Sequence, residues 1–155
     1  MLNRMLIDRT LERGTGIPSI DTDLDAIFEA INQASACAAR RDAVAALRER
    51  LERLLSLIQR HFIKEQGVMA ISLYPYYSDH RSEHEAFLAD FRSMVSRRGG
   101  RKCLDGAVSF ALKFIVAHRR LADVRLADFL ALNAHYLRPS YIPIRTLQYT
   151  AVHRI

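Results

Sequence analysis

The sequence predicts an all-α protein, an up-and-down four-helix bundle with an N-terminal arm and a C-terminal extension. Four stretches carry apolar residues three and four positions apart, which is the spacing of one face of an α-helix. The segments between them are short, and short connections favour antiparallel packing of consecutive helices. With 155 residues and 50% hydrophobic content, the chain can form one domain with a substantial core.

The first predicted helix follows an arm over residues 1–18, which has no clear period and contains Gly14, Gly16 and Pro18. Ser19 is a plausible N-cap for this helix, which should end near residues 36–40. Its predicted apolar face contains Ile20, Leu24, Ile27, Phe28 and Ile31.

The second predicted helix is the longest, with an apolar stripe that runs from Val44 to Met69. His61 and Glu65 occupy positions in this stripe where leucine or isoleucine is expected. A buried carboxylate without a partner is strongly unfavourable, so this part of the core requires a group that satisfies it.

The third predicted helix begins after Tyr74-Pro75, because proline disfavours helical backbone at the residue before it. Ser78 is a candidate cap, and the first two core positions of this helix are His80 and His84. The polar run 97–102 is the next turn. The fourth predicted helix carries its stripe from Leu104 to His118, and Asp123 follows shortly after it.

The polar residues of these stripes should meet at one end of the bundle, because alternate helices run in opposite directions. A single histidine on an apolar face is more often a satisfied core residue, and a lone buried glutamate is more often a member of an ion pair. Four histidines and two carboxylates in one layer instead predict a metal site, since they are the ligand types of iron, zinc and manganese. These candidate metal ligands are His61, Glu65, His80, His84, His118 and Asp123.

Cysteine content and hydropathy favour a cytoplasmic protein. Cys37 and Cys103 are the only cysteines, and we expect both to be free thiols at the end away from the histidines. The longest apolar run, near residues 107–117, contains Lys113 and is too short to span a bilayer. The N-terminus lacks the apolar core of a signal peptide.

The C-terminal segment 129–155 is predicted to be a basic tail, with arginines interleaved with tyrosines and no acidic residue. Such a composition can serve a nucleic-acid surface. It is more often a docking segment, so nucleic acid is not an expected partner and the partner of the tail is left open.

The order and spacing of these motifs resemble the hemerythrins, the non-haem di-iron four-helix bundles of the oxygen-binding and bacterial hemerythrin-like type. The resemblance covers residues 16–123, and the predicted bundle domain spans residues 19–128. It rests on an entry motif at residues 16–23 and on three further motifs. These are His61-Phe62 with Glu65, then Tyr74-Pro75 with His80, His84 and Phe87, and finally His118 with Asp123.

The resemblance implies two iron ions bridged by two carboxylates and one oxygen atom. One iron would be held by His80, His84 and His118. The bridging carboxylates would be Glu65 and Asp123, with His61 on the second iron. The family places a further histidine on the first helix, where this chain has Leu24.

The replacement at Leu24 leaves several alternatives open. Water or Asp21 could take the missing ligand position, and another divalent metal could replace iron. The second position could instead be empty, which leaves one metal on three histidines. In a further alternative, the site has lost its metal and the protein serves as a scaffold.

Two functions are therefore considered. The first is a hemerythrin-like non-haem iron protein that binds or senses dioxygen or a related small oxidant, with an incomplete second iron site. The second is a non-catalytic helical interaction module that has lost its metal chemistry. Peroxide or nitric oxide reduction would be an enzymatic variant of the first function, but no catalytic residue is assigned and binding is favoured over catalysis.

Overall fold

The computed structural model describes residues 16–96 and 100–134, which form a bundle of antiparallel helices and confirm the predicted fold class. Helix α1 packs against α2 and α4, while α3 packs against α2 and α4. The elements are α1 (Pro18–Ala39), α2 (Val44–Ile71), α3 (Tyr77–Ser96), α4 (Arg101–His118), a π-helical segment (Arg119–Asp123) and α5 (Val124–Leu132). The last three follow one another without a break, so they form the fourth rod of the bundle.

Most of the predicted arm and tail lies outside the described residues, which begin at residue 16 and end at residue 134. The domain limits at residues 18 and 128 therefore stay predictions. Within the described part of the chain, no helix combines the length and the apolarity needed to cross a membrane.

Two predicted helix caps are wrong. Helix α1 begins at Pro18, with Ile17 and not Ser19 at the N-cap. Proline suits the first helical position because its φ is already helical and its missing N–H would have had no partner there. Ser78 lies inside α3, which begins one residue earlier at Tyr77.

The turn between α2 and α3 brings the two halves of the polar layer face to face. Leu73 adopts a left-handed backbone conformation with φ of 55°, and the Tyr74 N–H donates to the Met69 carbonyl at 2.9 Å. This is the hydrogen bond of a Schellman closure, which ends α2 and reverses the chain. Helix α3 then runs back along α2, with His80 and His84 opposite Glu65.

The polar layer lies between two apolar clusters. Along α2, Phe62 belongs to the main hydrophobic core and Met69 to a smaller second cluster, with Glu65 between them. Along the fourth rod, Ile115 belongs to the main core and Leu126 to the second cluster, on either side of His118 and Asp123. Apolar side chains therefore cover the polar layer both above and below.

The opposite end of the bundle contains both cysteines. Cys37 is buried near the end of α1, Cys103 is half-buried in the first turn of α4, and both are free, as expected. Arginine side chains tie the loops together at this end. Arg48 donates to the Val95 carbonyl at the end of α3, and Arg101 donates to the Asp42 carbonyl between α1 and α2.

Candidate metal centre

The six residues predicted from the sequence lie together in one buried cluster. None of them is more than 5% exposed, although all six are polar or ionisable. Their ligand atoms form two overlapping groups, each with all atoms within 4.8 Å of one another. The three-histidine group contains Glu65, His80, His84 and His118, and the second group contains His61, Glu65 and Asp123.

Helix geometry explains how these side chains converge. The pairs His61/Glu65 and His80/His84 are four residues apart and therefore share a helix face. His118 and Asp123 are five residues apart, and in a regular α-helix this spacing would rotate Asp123 by about 140° away from His118. The π-helical segment Arg119–Asp123 widens the turn by one residue. As a result, the Asp123 Oδ1 lies 3.2 Å from the His118 Nε2.

The three-histidine group has its ring nitrogens at the separation of ligands around one ion. The His118 Nε2 lies 2.9 Å from the Nε2 atoms of both His80 and His84. Two nitrogens bound at about 2.1 Å and at right angles around one ion would be about 3.0 Å apart, whereas tetrahedral angles would place them about 3.4 Å apart. The two observed separations fit right-angle coordination of one ion.

The Glu65 carboxylate lies between the two groups. Its Oε2 is 3.3 Å from the His84 Nε2 and 3.8 Å from the Nε2 atoms of both His80 and His61. The position of Glu65 thus suits a carboxylate that is shared between two ligand groups.

The second group is short of hydrogen bonds. Within the described part of the chain, both ring nitrogens of His61 are buried without a hydrogen-bond partner, and the carboxyl oxygens of Glu65 and Asp123 have no partner apart from each other. Leaving such groups unsatisfied costs about 1–3 kcal/mol each, and more when they are charged. A bound cation would satisfy these lone pairs, so the donor set of the cluster fits a metal ion.

Burial sets the charge state of the metal-free cluster. Desolvation lowers the pKa of His61 and His80 to about 4 and that of His84 to about 3, and it lowers the pKa of His118 further. The four imidazoles are therefore neutral near pH 7, which is the form that binds metals. Desolvation also raises the pKa of Glu65 to about 8 and that of Asp123 well above its usual value, so protons occupy these carboxyls until a cation displaces them.

Aromatic side chains orient the three histidine rings. Phe62 stacks on His84 with ring centroids 3.7 Å apart and planes within 2° of parallel. Phe114 stacks on His118 at 5.1 Å. The Tyr74 ring meets His80 edge-on at 6.3 Å. The predicted motif residues Phe62 and Tyr74 thus contact the rings that carry the ligand nitrogens.

Leu24, the position that departs from the hemerythrin motif, is 2% exposed and belongs to the main hydrophobic core. Asp21 lies outside both groups of ligand atoms. Its charge nevertheless raises the pKa of both Glu65 and Asp123, so α1 brings its first turn close to the cluster.

Three further residues at the cluster were not predicted from the sequence. The Gln66 side-chain amide lies 3.3 Å from the His84 Nδ1, and a Glu83 oxygen lies 3.4 Å from the His118 Nδ1. Arg119 is buried in the π-helical segment. Their only sequence signal is that each directly adjoins a predicted ligand, which does not reveal where the side chain points.

Glu83 should tune metal binding through His118. The Glu83 oxygen lies 3.4 Å from the His118 Nδ1 without a hydrogen bond between them, and a carboxylate that closed this gap and accepted the Nδ1–H would fix the tautomer in which Nε2 carries the lone pair. We therefore expect Glu83→Ala to weaken metal affinity by about 10–100-fold, as is typical when a supporting partner of a ligand is lost. Equilibrium titration of the metal-free protein measures this change.

Glu85→Ala is the matched control for Glu83→Ala. The two glutamates lie on α3 and their side chains are equally exposed, at 58% each, but Glu85 pairs with Arg81 at 2.7 Å. We expect its metal affinity to equal that of the parent protein. Equal affinities for the two variants would show that Glu83 does not act on His118.

A comparison with protein-family models identifies this chain's relatives. The model for the hemerythrin HHE cation binding domain matches residues 15–130, which include all six clustered residues. Comparisons with curated proteins and with solved structures gave no significant match. The family match agrees with the order of motifs in the sequence and with the buried histidine–carboxylate cluster. The chain belongs to the hemerythrin HHE cation-binding domain family.

Proposed function

We propose that this chain binds one iron ion at Glu65, His80, His84 and His118, and through that ion binds or senses dioxygen or a related small oxidant. The observation that carries the proposal is the 2.9 Å approach of the His118 Nε2 to the Nε2 atoms of both His80 and His84. A separation of 2.9 Å also fits an N–H···N hydrogen bond, but a neutral His118 Nε2 has one hydrogen or one lone pair and can satisfy only one of its two neighbours. A shared cation would satisfy all three nitrogens.

The ligand chemistry favours iron over zinc. A structural zinc site is usually closed and tetrahedral, while the spacing of the three histidine nitrogens suits right-angle coordination. Three imidazoles with a carboxylate on one side leave positions for a small ligand, as in non-haem iron sites that react with oxygen. Iron, when bound, would supply the redox chemistry for a response to an oxidant.

The protein's own residues would position the ion and exclude water. His80, His84 and His118 present neutral nitrogens, with the Phe62, Phe114 and Tyr74 rings packed against them. The two apolar clusters flank this layer along α2 and along the fourth rod. A small uncharged molecule could enter such an environment more readily than a hydrated anion.

An interaction module without metal is the second candidate, and the buried cluster argues against it. A scaffold would be more stable with apolar residues in place of unsatisfied buried carboxylates and histidines. The expectations of a cytoplasmic location and of no nucleic-acid partner stay predictions.

Reconstitution with iron tests the proposed function. The metal-free protein would be loaded with Fe(II) without oxygen, freed of excess metal and analysed for iron per chain. Its absorption spectrum would then be recorded before and after exposure to oxygen. We expect about one iron per chain and a new near-ultraviolet or visible band after exposure. A protein that retains no iron, or whose iron spectrum does not respond to oxygen or peroxide, would contradict the proposal.

Metal affinity should rise with pH up to about pH 8. The pKa of Glu65 is raised to about 8, so below this pH a cation must displace the carboxyl proton. The histidines, whose pKa values lie at about 4 or below, compete with metal only in stronger acid. We expect the apparent affinity for Mn(II) to fall by up to about tenfold per pH unit for each displaced proton between pH 8 and pH 6. Constant affinity over this range would contradict the assigned protonation states.

A further inference from the structure

Gln66 contacts His84 at the ring nitrogen that does not face the other ligands. The Gln66 amide nitrogen lies 3.3 Å from the His84 Nδ1, whereas the His84 Nε2 faces Glu65 and His118. An amide nitrogen carries only hydrogens, so in this hydrogen bond it donates and the Nδ1 accepts. The one hydrogen of a neutral His84 ring is therefore on Nε2.

The hydrogen bond on the far side of His84 continues in the same direction. The His84 Nε2 lies 2.9 Å from the His118 Nε2, and with its hydrogen it donates to that atom. His118 then accepts at Nε2 and keeps its own hydrogen on Nδ1, the side on which the Glu83 oxygen lies at 3.4 Å. The Gln66 amide thus sets the tautomers of two of the three histidines in the three-histidine group.

This tautomer of His84 cannot bind a metal ion through Nε2. A coordinating nitrogen needs a free lone pair, so the hydrogen of the ring must be on the other nitrogen. The ring itself is held in place, because it is fully buried and Phe62 stacks on it with planes within 2° of parallel. Gln66 is only half-buried, so its amide has room to rotate about the last side-chain bond. Rotation would present the amide oxygen, which accepts from an Nδ1–H.

We propose that Gln66 is a positioning residue whose amide, by rotating, controls whether His84 can bind a metal ion. With the amide nitrogen toward the ring, Gln66 holds the tautomer that does not bind. With the amide oxygen toward the ring, it supports the tautomer that does. In the change between them, His84 releases a proton from Nε2 to solvent and takes one up at Nδ1, so the ring stays neutral. The role of the second state rests on the proposed metal binding.

Nitrogen-15 NMR of the histidine rings, recorded in chelator, measures the tautomer directly, because protonated and unprotonated ring nitrogens differ in chemical shift. We expect the hydrogen of His84 on Nε2 in the parent protein. Gln66→Glu offers only acceptors when ionised and should move this hydrogen to Nδ1. Gln66→Met offers neither donor nor acceptor and should give a mixture of both tautomers. A parent protein with the hydrogen on Nδ1, or one tautomer in all three proteins, would overturn the proposal.

Metal affinity is the second readout. Gln66→Glu supports the binding tautomer without an amide rotation, so we expect it to bind Mn(II) at least about tenfold more tightly than the parent at pH 8. Gln59→Glu is the matched control, because Gln59 is half-buried on the same face of α2 two turns earlier and gains the same charge. Its affinity should change much less. Equal gains in the two variants, or no gain in Gln66→Glu, would contradict the proposal.

The NMR measurement separates this inference from the proposed function, because it requires no metal. A parent protein that binds no metal would refute the proposed function, and with it the second state of Gln66. The spectra in chelator would still decide whether Gln66 sets the tautomer of His84.

Discussion

Glu65→Gln should stabilise the metal-free protein at pH 8 and remove most of its metal affinity. Glu65 is fully buried, and its oxygens have no hydrogen-bond partner in the described structure other than the Asp123 carboxyl. Glutamine has nearly the same shape but does not ionise. It also cannot serve as a bridging anion, so we expect metal affinity to fall more than about 100-fold, beyond the effect of losing an outer-shell partner.

The stability gain follows from the raised pKa of Glu65. Desolvation raises this pKa from 4.5 to about 8 on folding. The unfolded chain therefore releases its proton near pH 4.5, while the folded chain keeps it until about pH 8. The contribution of Glu65 to stability is fully present below pH 4.5 and is lost as pH rises toward 8. Glutamine avoids this loss, and we expect a gain on the order of 3 kcal/mol at pH 8.

Denaturant unfolding in chelator at pH 5 and pH 8 measures this effect. The histidines have lowered pKa values, so their contribution to the free energy of unfolding is lost as pH falls below about 6.5. This loss should be the same in the parent and in Glu65→Gln. The difference between the two proteins should therefore be small at pH 5 and large at pH 8. The exposed Glu85→Gln serves as the control. A Glu65→Gln variant less stable than its parent at pH 8 would show that an unrecognised partner stabilises the Glu65 anion.

Leu24→His should convert the proposed one-ion site into one that accepts a second ion. Leu24 is almost completely buried, so the new imidazole lies in the core and has no water to satisfy it. Without metal, we expect the variant to be less stable than the parent by about 2–4 kcal/mol. With metal present, the imidazole gains a cation to bind, so most of this loss should be recovered.

Metal stoichiometry and thermal unfolding, with and without Mn(II), test the Leu24→His prediction. The parent should bind one ion, and the variant should bind a second ion more weakly. Two tightly bound ions in the parent would instead indicate that another residue, such as Asp21, replaces the missing histidine. If Leu24→His binds no more metal than the parent, restoring this one ligand does not restore the second metal position. The scaffold function would then gain support.

The helix pattern predicted much of the fold and the whole set of clustered residues. Polar residues at positions where apolar ones are expected, such as His61 and Glu65, are rare enough to identify the buried polar layer. Antiparallel packing then placed them at one end without knowledge of any contact. These predictions succeeded because both the pattern and the packing depend on helix periodicity, which is local in sequence.

The remaining features depend on contacts that the sequence pattern does not contain. The π-helical segment was not predicted, although the five-residue spacing of His118 and Asp123 is its signal, because two ligands on one face of a regular helix are three or four residues apart. Arg119 was overlooked because arginine is usually exposed. Gln66 and Glu83 approach ring nitrogens only through the rotamers adopted in the fold.

Anaerobic titration of the metal-free protein with Fe(II), in parallel with His118→Ala, tests most directly whether the buried cluster is a one-metal site. His118 has ligand-atom contacts with His80, His84, Glu65 and Asp123. We predict one tight equivalent of iron per chain in the parent protein and at least about 100-fold weaker binding in the variant. The absence of saturable binding in the parent, or the same affinity in both proteins, would contradict this account.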